Sequence, residues 1–343
     1  MKSKQEHPAS IGKKKVIVIG GGTGTHTVLK GLKKYHDTLD LAAIVTMADS
    51  GGSTGRLRDE FGYLPVGDAR MALVALAADV NDHDELMRKL FLYRFAKGGG
   101  LSGHNFGNLL LTALTDILGS EVEAIETASR ILRIRGTVIP VSLDNVQLQA
   151  SYSDGDTRVG EHSIDEPDAS RYPHSITKIS LTPKAQLNPH AKQAILEADL
   201  IVFGPGDLYT SILANCVVDG FPEVMKKTKA ETVFISNLVT KVGQTTGMSA
   251  LDHLQEIERY CSISIDTCVI NKDVLPTDLL EKYAQKGEYP VDNETIKNTS
   301  RHVIETSLLD TEDVVISKND VVRRSLLRHN SEKLAKTVLK LVH

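Results

Sequence analysis

A β-branched run that ends in a block of glycines and turns at once into a helix allows few folds. Residues 15–19 (KVIVI) lead straight into Gly20-Gly21-Gly22-Thr23-Gly24-Thr25, and residues 25–34 read as a helix. Residues 41–47 form a second apolar strand. Strand, glycine loop, helix, strand is the opening of a parallel sheet covered by helices. The pattern returns at residues 200–203, which open onto Gly204-Pro205-Gly206-Asp207 and a further helix. Strands are expected again at 232–236 and 262–271. The expected fold class is therefore α/β: a Rossmann-like three-layer fold with a mostly parallel sheet.

Between these halves the character changes. Residues 137–185 alternate and turn often, with an Asp154-Gly155 turn, which predicts a small antiparallel excursion. It is read as a β-rich insert in a single α/β domain spanning 13–343, behind a disordered tail at 1–12. Helices are expected from about Asp68, which is placed to cap one, and at 106–118, 121–131, 189–198, 248–259 and 330–341. The segment 97–105 (KGGGLSGHN) reads as a flexible joint, 49–58 as a loop, and 314–316 as the last strand. The acidic stretch 161–168 reads as a solvated loop.

Composition removes several classes. Forty Lys and Arg face 44 Asp and Glu, a net charge of −4, which does not suit a dedicated nucleic-acid binder. Three cysteines in 343 residues do not make a disulfide scaffold, and no His/Cys spacing suits zinc, so no metal site is expected. Cys261 and Cys268 read as inert core residues. No apolar run reaches the ~18 residues of a membrane span, and the N-terminal stretch lacks a signal-peptide core. A cytoplasmic protein is expected. The apolar helices around 66–118 exceed what covering a sheet needs, so a homodimer is expected.

The candidate site is the set of strand-end loops. Gly21, Gly22, Thr23, Gly24 and Thr25 lie where free N–H groups of a helix start suit a phosphate. Asp49, Ser50, Gly51, Gly52, Ser53 and Arg56 follow the second strand; hydroxyls and the arginine can wrap a phosphate or ribose. Asp49 is costly beside a bare phosphate unless it meets a metal, an arginine or a sugar hydroxyl. Arg70, in PVGDAR, is the next candidate, followed by His104, Asn105 and Asn108 in GHNFGN. Gly204, Gly206, Leu208, Tyr209 and Thr210 form a second glycine loop, and Asn237 and Thr240 leave a further strand end polar. The spacing of GGGTG departs from the dinucleotide fingerprint, and no P-loop Lys-Ser/Thr follows it. If the glycines served turns alone, no nucleotide would bind.

In this order, IGGGTG, MADSGGSTGRLR, PVGDAR, HNFGN and FGPGDLYTSI resemble the motifs of the CofD-like superfamily of 2-phospho-L-lactate transferase-like proteins. The closer resemblance is to its YvcK branch, the bacterial gluconeogenesis factors, and it runs from about Lys13 to the C-terminus. The branch pattern MADDGGSSG has a second aspartate where this chain has Ser50. The resemblance implies binding of a UDP sugar such as UDP-N-acetylglucosamine, and support of cell shape and envelope synthesis during growth on gluconeogenic carbon. No reaction is implied. For the other branch it implies transfer of a phospholactyl group from a guanosine diphosphate-linked donor to a deazaflavin acceptor with magnesium, Asp49 then being the catalytic candidate. The expected partner is a nucleotide-sugar ligand, with no obligatory cofactor.

Overall fold

The computed structural model describes residues 12–168, 172–311 and 326–342. Its main sheet has seven strands: β1 Lys14–Gly20, β2 Leu39–Val45, β3 Thr137–Pro140, β7 Leu200–Phe203, β8 Glu231–Ile235, β9 Thr267–Asn271 and β10 His302–Thr306. Their order is β10-β9-β8-β7-β1-β2-β3, and every pairing is parallel. The chain runs outward from β1 to β3, then returns beside β1 and runs outward the other way. The order reverses between β1 and β7, which is where open α/β sheets bind ligands.

Both faces of this sheet are covered, which explains why its strands are continuously apolar instead of alternating. Val16 and Val18 point into one core with Leu29 and Leu32 of helix α1 (Gly22–Leu32), Leu73 of a helix described below, and Leu334 of the helix Ser331–Leu339. Ile17 and Ile19 point into the other, with Ile195 of the helix Pro189–Glu197 and Leu254 of the helix Ala250–Cys261. The two cores are the outer layers of the expected three-layer α/β fold.

Helix α2 is Gly52–Phe61, α3 Gly67–Leu76, α4 Asp82–Leu92, α5 Phe106–Leu118 and α6 Glu121–Ile131. The bounds of α5 and α6 match the sequence reading, because Asn105 and Ser120 each cap the next helix through a side-chain acceptor. The antiparallel excursion is a three-stranded sheet, with β4 (Gln147–Tyr152) between β5 (Thr157–Val159) and β6 (Ile176–Thr182). Its turn is at Asp154 and Gly155, where the Gly155 N–H donates to the Tyr152 carbonyl.

Several expectations are corrected. Residues 137–140 belong to the main sheet as β3, paired with β2, so the excursion starts later than residue 137. Residues 52–58 are helical; glycine, serine and threonine disguise the first turn of α2, which the φ of +48° at Gly52 helps to start. Asp68 does not cap α3. It lies inside the first turn, and Val66 holds the cap position. The acidic stretch contains a short helix, α7 (Glu161–Asp165), anchored by the buried Ile164. Strand β10 was not expected. The expected tail and the strand at 314–316 lie outside the described residues, apart from Gly12.

Candidate functional site

The expectation that GGGTG, MADSGG and FGPGD leave the sheet at one edge holds. Parallel strands β1, β2 and β7 end together, with Gly20 opposite Val45 and Ile19 opposite Phe203. The first loop is shorter than its glycines suggest. Helix α1 already begins at Gly22, whose φ of +60° suits glycine, and Gly21 is its cap residue. Gly24 then lies on the backbone of the 204–206 loop, so closely that a Cβ there would overlap the Pro205 carbonyl. The two glycine loops thus share one surface at the β1–β7 reversal, and Thr23 stands exposed beside them. The α1 start presents the positive end of a helix to that surface.

On the β2 side the loop folds around Asp49. Its Oδ1 accepts from the Gly51 N–H at 2.8 Å, and Thr54 also donates to it. Asp68 faces the α1 start, where its Oδ1 accepts from the Gly22 N–H at 2.7 Å. An acid in the first turn of α3 therefore satisfies a backbone donor of another helix. Burial pushes the Asp49 carboxyl up; burial and the Asp49 charge push Asp68 up to about 7. The family pattern's second aspartate is Ser50 here, and Asp68 supplies a second carboxylate from a different segment.

Arg70 is 8% exposed. Its Nε donates to Asn108 Oδ1 at 2.7 Å and its Nη1 to the Phe91 carbonyl at 3.4 Å. Burial and the nearby Arg94 lower it to about 10, so it stays charged at neutral pH, and it answers the charges of Asp49 and Asp68. Asn108 donates in turn to Thr54 Oγ1 at 3.1 Å and is held by the Asn105 side chain. Ser53 Oγ accepts from the Asn105 N–H and contacts His104 Nδ1. His104, Asn105 and Asn108 are all buried and engaged inside the protein, joining the starts of α2 and α5. Arg56 is exposed and donates to the Ser102 carbonyl. Ser50 Oγ accepts from the His162 N–H at 2.9 Å, which ties the excursion to this loop.

On the β8 side, Asn237 clamps Gly206. Its Oδ1 accepts from the Gly206 N–H at 3.2 Å and its Nδ2 donates to the Gly206 carbonyl at 2.9 Å. Thr240 Oγ1 accepts from the Tyr289 N–H. Leu208 and Tyr209 are buried, and the Tyr209 hydroxyl reaches Glu256. Thr210 Oγ1 donates to Asp165 Oδ1 at 3.1 Å.

Sequence reasoning missed the groups that centre this side. Lys241 bridges Asp165 and Asp207, at 2.9 Å from the latter. Burial alone would raise Asp165, but the Lys241 ammonium holds it below its usual range. Asp207 is raised by burial, partly offset by Lys241. Lys241 rises above the usual lysine range, because the two carboxylates outweigh burial. Glu161 on α7 stands well above its usual range through burial and the charges of Asp49 and Asp165. The only sequence signal for these residues was polar side chains following a strand end (Lys241) and a single buried isoleucine within an acidic stretch (Glu161, Asp165).

Five carboxylates, one arginine and one lysine therefore ring the ends of β1, β2, β7 and β8. No group of three or more His, Cys, Asp or Glu that could hold a metal ion occurs among the described residues. Cys216, Cys261 and Cys268 are free and buried, and burial raises Cys261 and Cys268. No helix among the described residues is long and apolar enough to cross a membrane.

Comparison with known proteins follows the same geometry. The family model of 2-phospho-L-lactate transferase CofD matches residues 16–309, from β1 to the segment after β10. The gluconeogenesis factor of Bacillus subtilis is 38% identical over 335 residues, covering 96% of this chain and 98% of its own length. That of Listeria innocua is 40% identical over 331 residues, covering 95% of each. A crystal structure of a UPF0052 family member from Bacillus halodurans superposes with a TM-score of 0.84 at 37% identity, over 96% of this chain and 100% of that one. Matched in sequence from end to end of its sheet, and in fold over nearly its whole length, the chain belongs to the CofD family, among the relatives named gluconeogenesis factors.

Proposed function

We propose that the crevice at the β1–β7 reversal binds a nucleotide sugar of the UDP-N-acetylglucosamine type, and that the protein acts by binding it and not by turning it over. The observation that carries this reading is the contact of Gly24 with the 204–206 backbone, which brings two glycine loops and the start of α1 onto one surface. Asp68 and Asn237 take the N–H groups of Gly22 and Gly206, and the remaining first-turn N–H groups of α1 suit a diphosphate. Arg70 is spent on the protein and counterbalances Asp49 and Asp68, so those carboxylates are available to sugar hydroxyls. The relatives' name supports a role in gluconeogenic growth. Maintenance of cell shape and envelope synthesis, in the cytoplasm, is part of the same reading. Exposed Leu92, Tyr93 and Ile117 on and beside α4 and α5 suit assembly as a homodimer.

Isothermal calorimetry against UDP-N-acetylglucosamine, GDP and NAD tests it. The expected result is micromolar binding of the UDP sugar, roughly −8 kcal/mol, with the sugar nucleotide recovered intact. Preference for NAD overturns the reading.

A second reading rests on Asp49 and Asp68. Two buried carboxylates, both raised by burial and Asp68 also by the Asp49 charge, are a setting a divalent cation would neutralise, and magnesium commonly binds through one or two carboxylates plus ligand phosphates. Asp49 and Asp68 would hold it, and the ion would offset charge on a transferred phosphoryl group; the matching family model is named for a transferase. Incubation of wild type and Asp49→Asn with a guanosine diphosphate-linked phospholactyl donor, magnesium and a deazaflavin acceptor separates the two. Turnover by wild type that is lost in Asp49→Asn establishes the transferase.

A further inference from the structure

The three cysteines are not equivalent. Cys216 closes the short helix Leu213–Cys216, which continues the turn after the second glycine loop, and Cys261 closes the helix Ala250–Cys261. These two elements lie side by side. The Tyr209 hydroxyl reaches Glu256 at 3.4 Å, and further along Cys261 Sγ donates to Cys216 Sγ at 2.8 Å. Both thiols are free. A disulfide bond is about 2.05 Å long, so the two sulfurs need approach by less than about 1 Å to be joined. Cys216 also lines a cleft of about 270 Å³, with Val217, Gly220, Pro222 and Tyr260. Cys261 is fully buried against Cys216. Burial and the Cys216 sulfur hold the Cys261 thiol well above its usual range, so it keeps its proton. Cys268 lies on β9, in the main sheet.

We propose that Cys216 and Cys261 form an oxidation site, at which a peroxide entering the cleft joins the helix after the second glycine loop to the helix Ala250–Cys261 through a disulfide bond. The Cys216 thiolate attacks one peroxide oxygen. The O–O bond breaks, and the departing hydroxide takes up the proton that the thiol gave, leaving as water. Cys216 is then a sulfenic acid. The Cys261 sulfur attacks it, the S–S bond forms and the S–O bond breaks, and the hydroxyl leaves with the Cys261 proton as a second water. Two thiols thus lose two electrons, and both peroxide oxygens end as water. Cys216 attacks because it is the one that lines the cleft, and Cys261 resolves because it stands against it. Buried thiols react slowly, so the site answers sustained peroxide and not a brief pulse. The bond holds two elements that already touch, and it constrains the unfolded chain across the 45 positions between the cysteines.

The test treats the folded full-length protein with hydrogen peroxide, alkylates the remaining thiols under denaturing conditions and maps its peptides without reduction. A linked Cys216–Cys261 pair is expected, lighter by two hydrogens, with Cys268 alkylated. Thermal unfolding of the oxidised protein should shift upward by about 5 °C, and dithiothreitol should reverse the shift. Cys261→Ala should leave Cys216 as a sulfenic acid that dimedone labels. Cys216→Ala should leave Cys261 unlabelled. Three alkylated thiols after peroxide, a bond to Cys268, or a bond that forms only in urea overturns the inference. Dimedone on Cys261 in Cys216→Ala overturns the order of attack. Should a variant fail to fold, the wild-type peptide map and the melting shift decide. None of these measurements depends on a nucleotide, so the outcome stands apart from the reading of the crevice.

Discussion

On the β2 side of the crevice, Asp49, Asp68 and Arg70 come from one short stretch of chain, and the arginine's bonds go to Asn108 and the Phe91 carbonyl. On the β8 side, Asp165, Asp207 and Lys241 come from three separate segments, and the lysine bonds the two carboxylates directly. The first arrangement leaves its acids raised and without a bonded cation. The second bonds both its acids to one lysine and leaves Gln244, whose Nε2 donates to Asp165, with an amide oxygen without a partner. The difference teaches that the acids on one side are held by backbone donors and a hydroxyl, whereas on the other side a cation is used in assembly and a neutral acceptor remains.

Breaking the β8 side should have the largest effect. Lys241→Met strands two carboxylates, and a broken buried ion pair costs several kcal/mol. With the side chains of Lys241 and Asp165 about a quarter exposed, a loss of about 3 kcal/mol in urea unfolding is expected. The double variant Lys241→Met/Asp165→Asn should recover part of it. A Lys241→Met loss under about 1 kcal/mol would show the pair to be a surface one.

Next comes Arg70→Met. The sequence alone suggests a ligand arginine whose removal spares the fold. Its burial and its bonds to Asn108 and Phe91 now predict a loss of about 2 kcal/mol of stability without ligand. Arg56→Ala, at an exposed position, should change stability by less than about 0.5 kcal/mol. Equal effects of the two variants would contradict the placement of Arg70.

Asn237→Ala removes both bonds to Gly206 and should cost about 1 kcal/mol of stability. Because the clamp sets the second glycine loop, UDP affinity should fall about tenfold in the same variant. Titration by fluorescence and thermal unfolding check the two effects separately.

A pH-dependent effect sharpens the β2 side. Asp68 titrates at about 7 in the folded chain against the ordinary aspartate range near 4 when unfolded. The folded state therefore binds the extra proton between these values, and the Asp68 contribution weakens as pH rises from about 4 to about 7. Asp68→Asn keeps an acceptor for the Gly22 N–H but cannot ionise. Unfolding free energies at pH 5 and pH 8 should differ less in Asp68→Asn than in wild type. An identical pH dependence would remove Asp68 from the titrating group.

What could be read beforehand follows from how each feature is encoded. The glycine loops and helices α5 and α6 depend on neighbours in sequence: β-branched runs, caps at Asn105 and Ser120, and a helix start after Gly21. The Lys241 cluster depends on three segments brought together by sheet order, so no local pattern marks it. Asp68 misled because an acid near a helix start usually caps that helix, whereas here it serves α1 across 46 residues. Strand β10 was hidden because its residues are only partly buried on the outer edge of the sheet.

The helix Ser331–Leu339 packs on α1, where a Cβ on Gly31 would overlap the Ser331 carbonyl, and Lys34 pairs with Glu332. Strand β1 also needs β7, from residue 200 onward, on one of its sides. During synthesis β1 thus lacks one neighbour until residue 200 is made, and α1 lacks its partner helix until residue 331. Long-range pairing of this kind slows folding and leaves apolar surface bare in the interval. The segment that carries the first glycine loop is therefore completed only when chain some three hundred residues away has packed onto it.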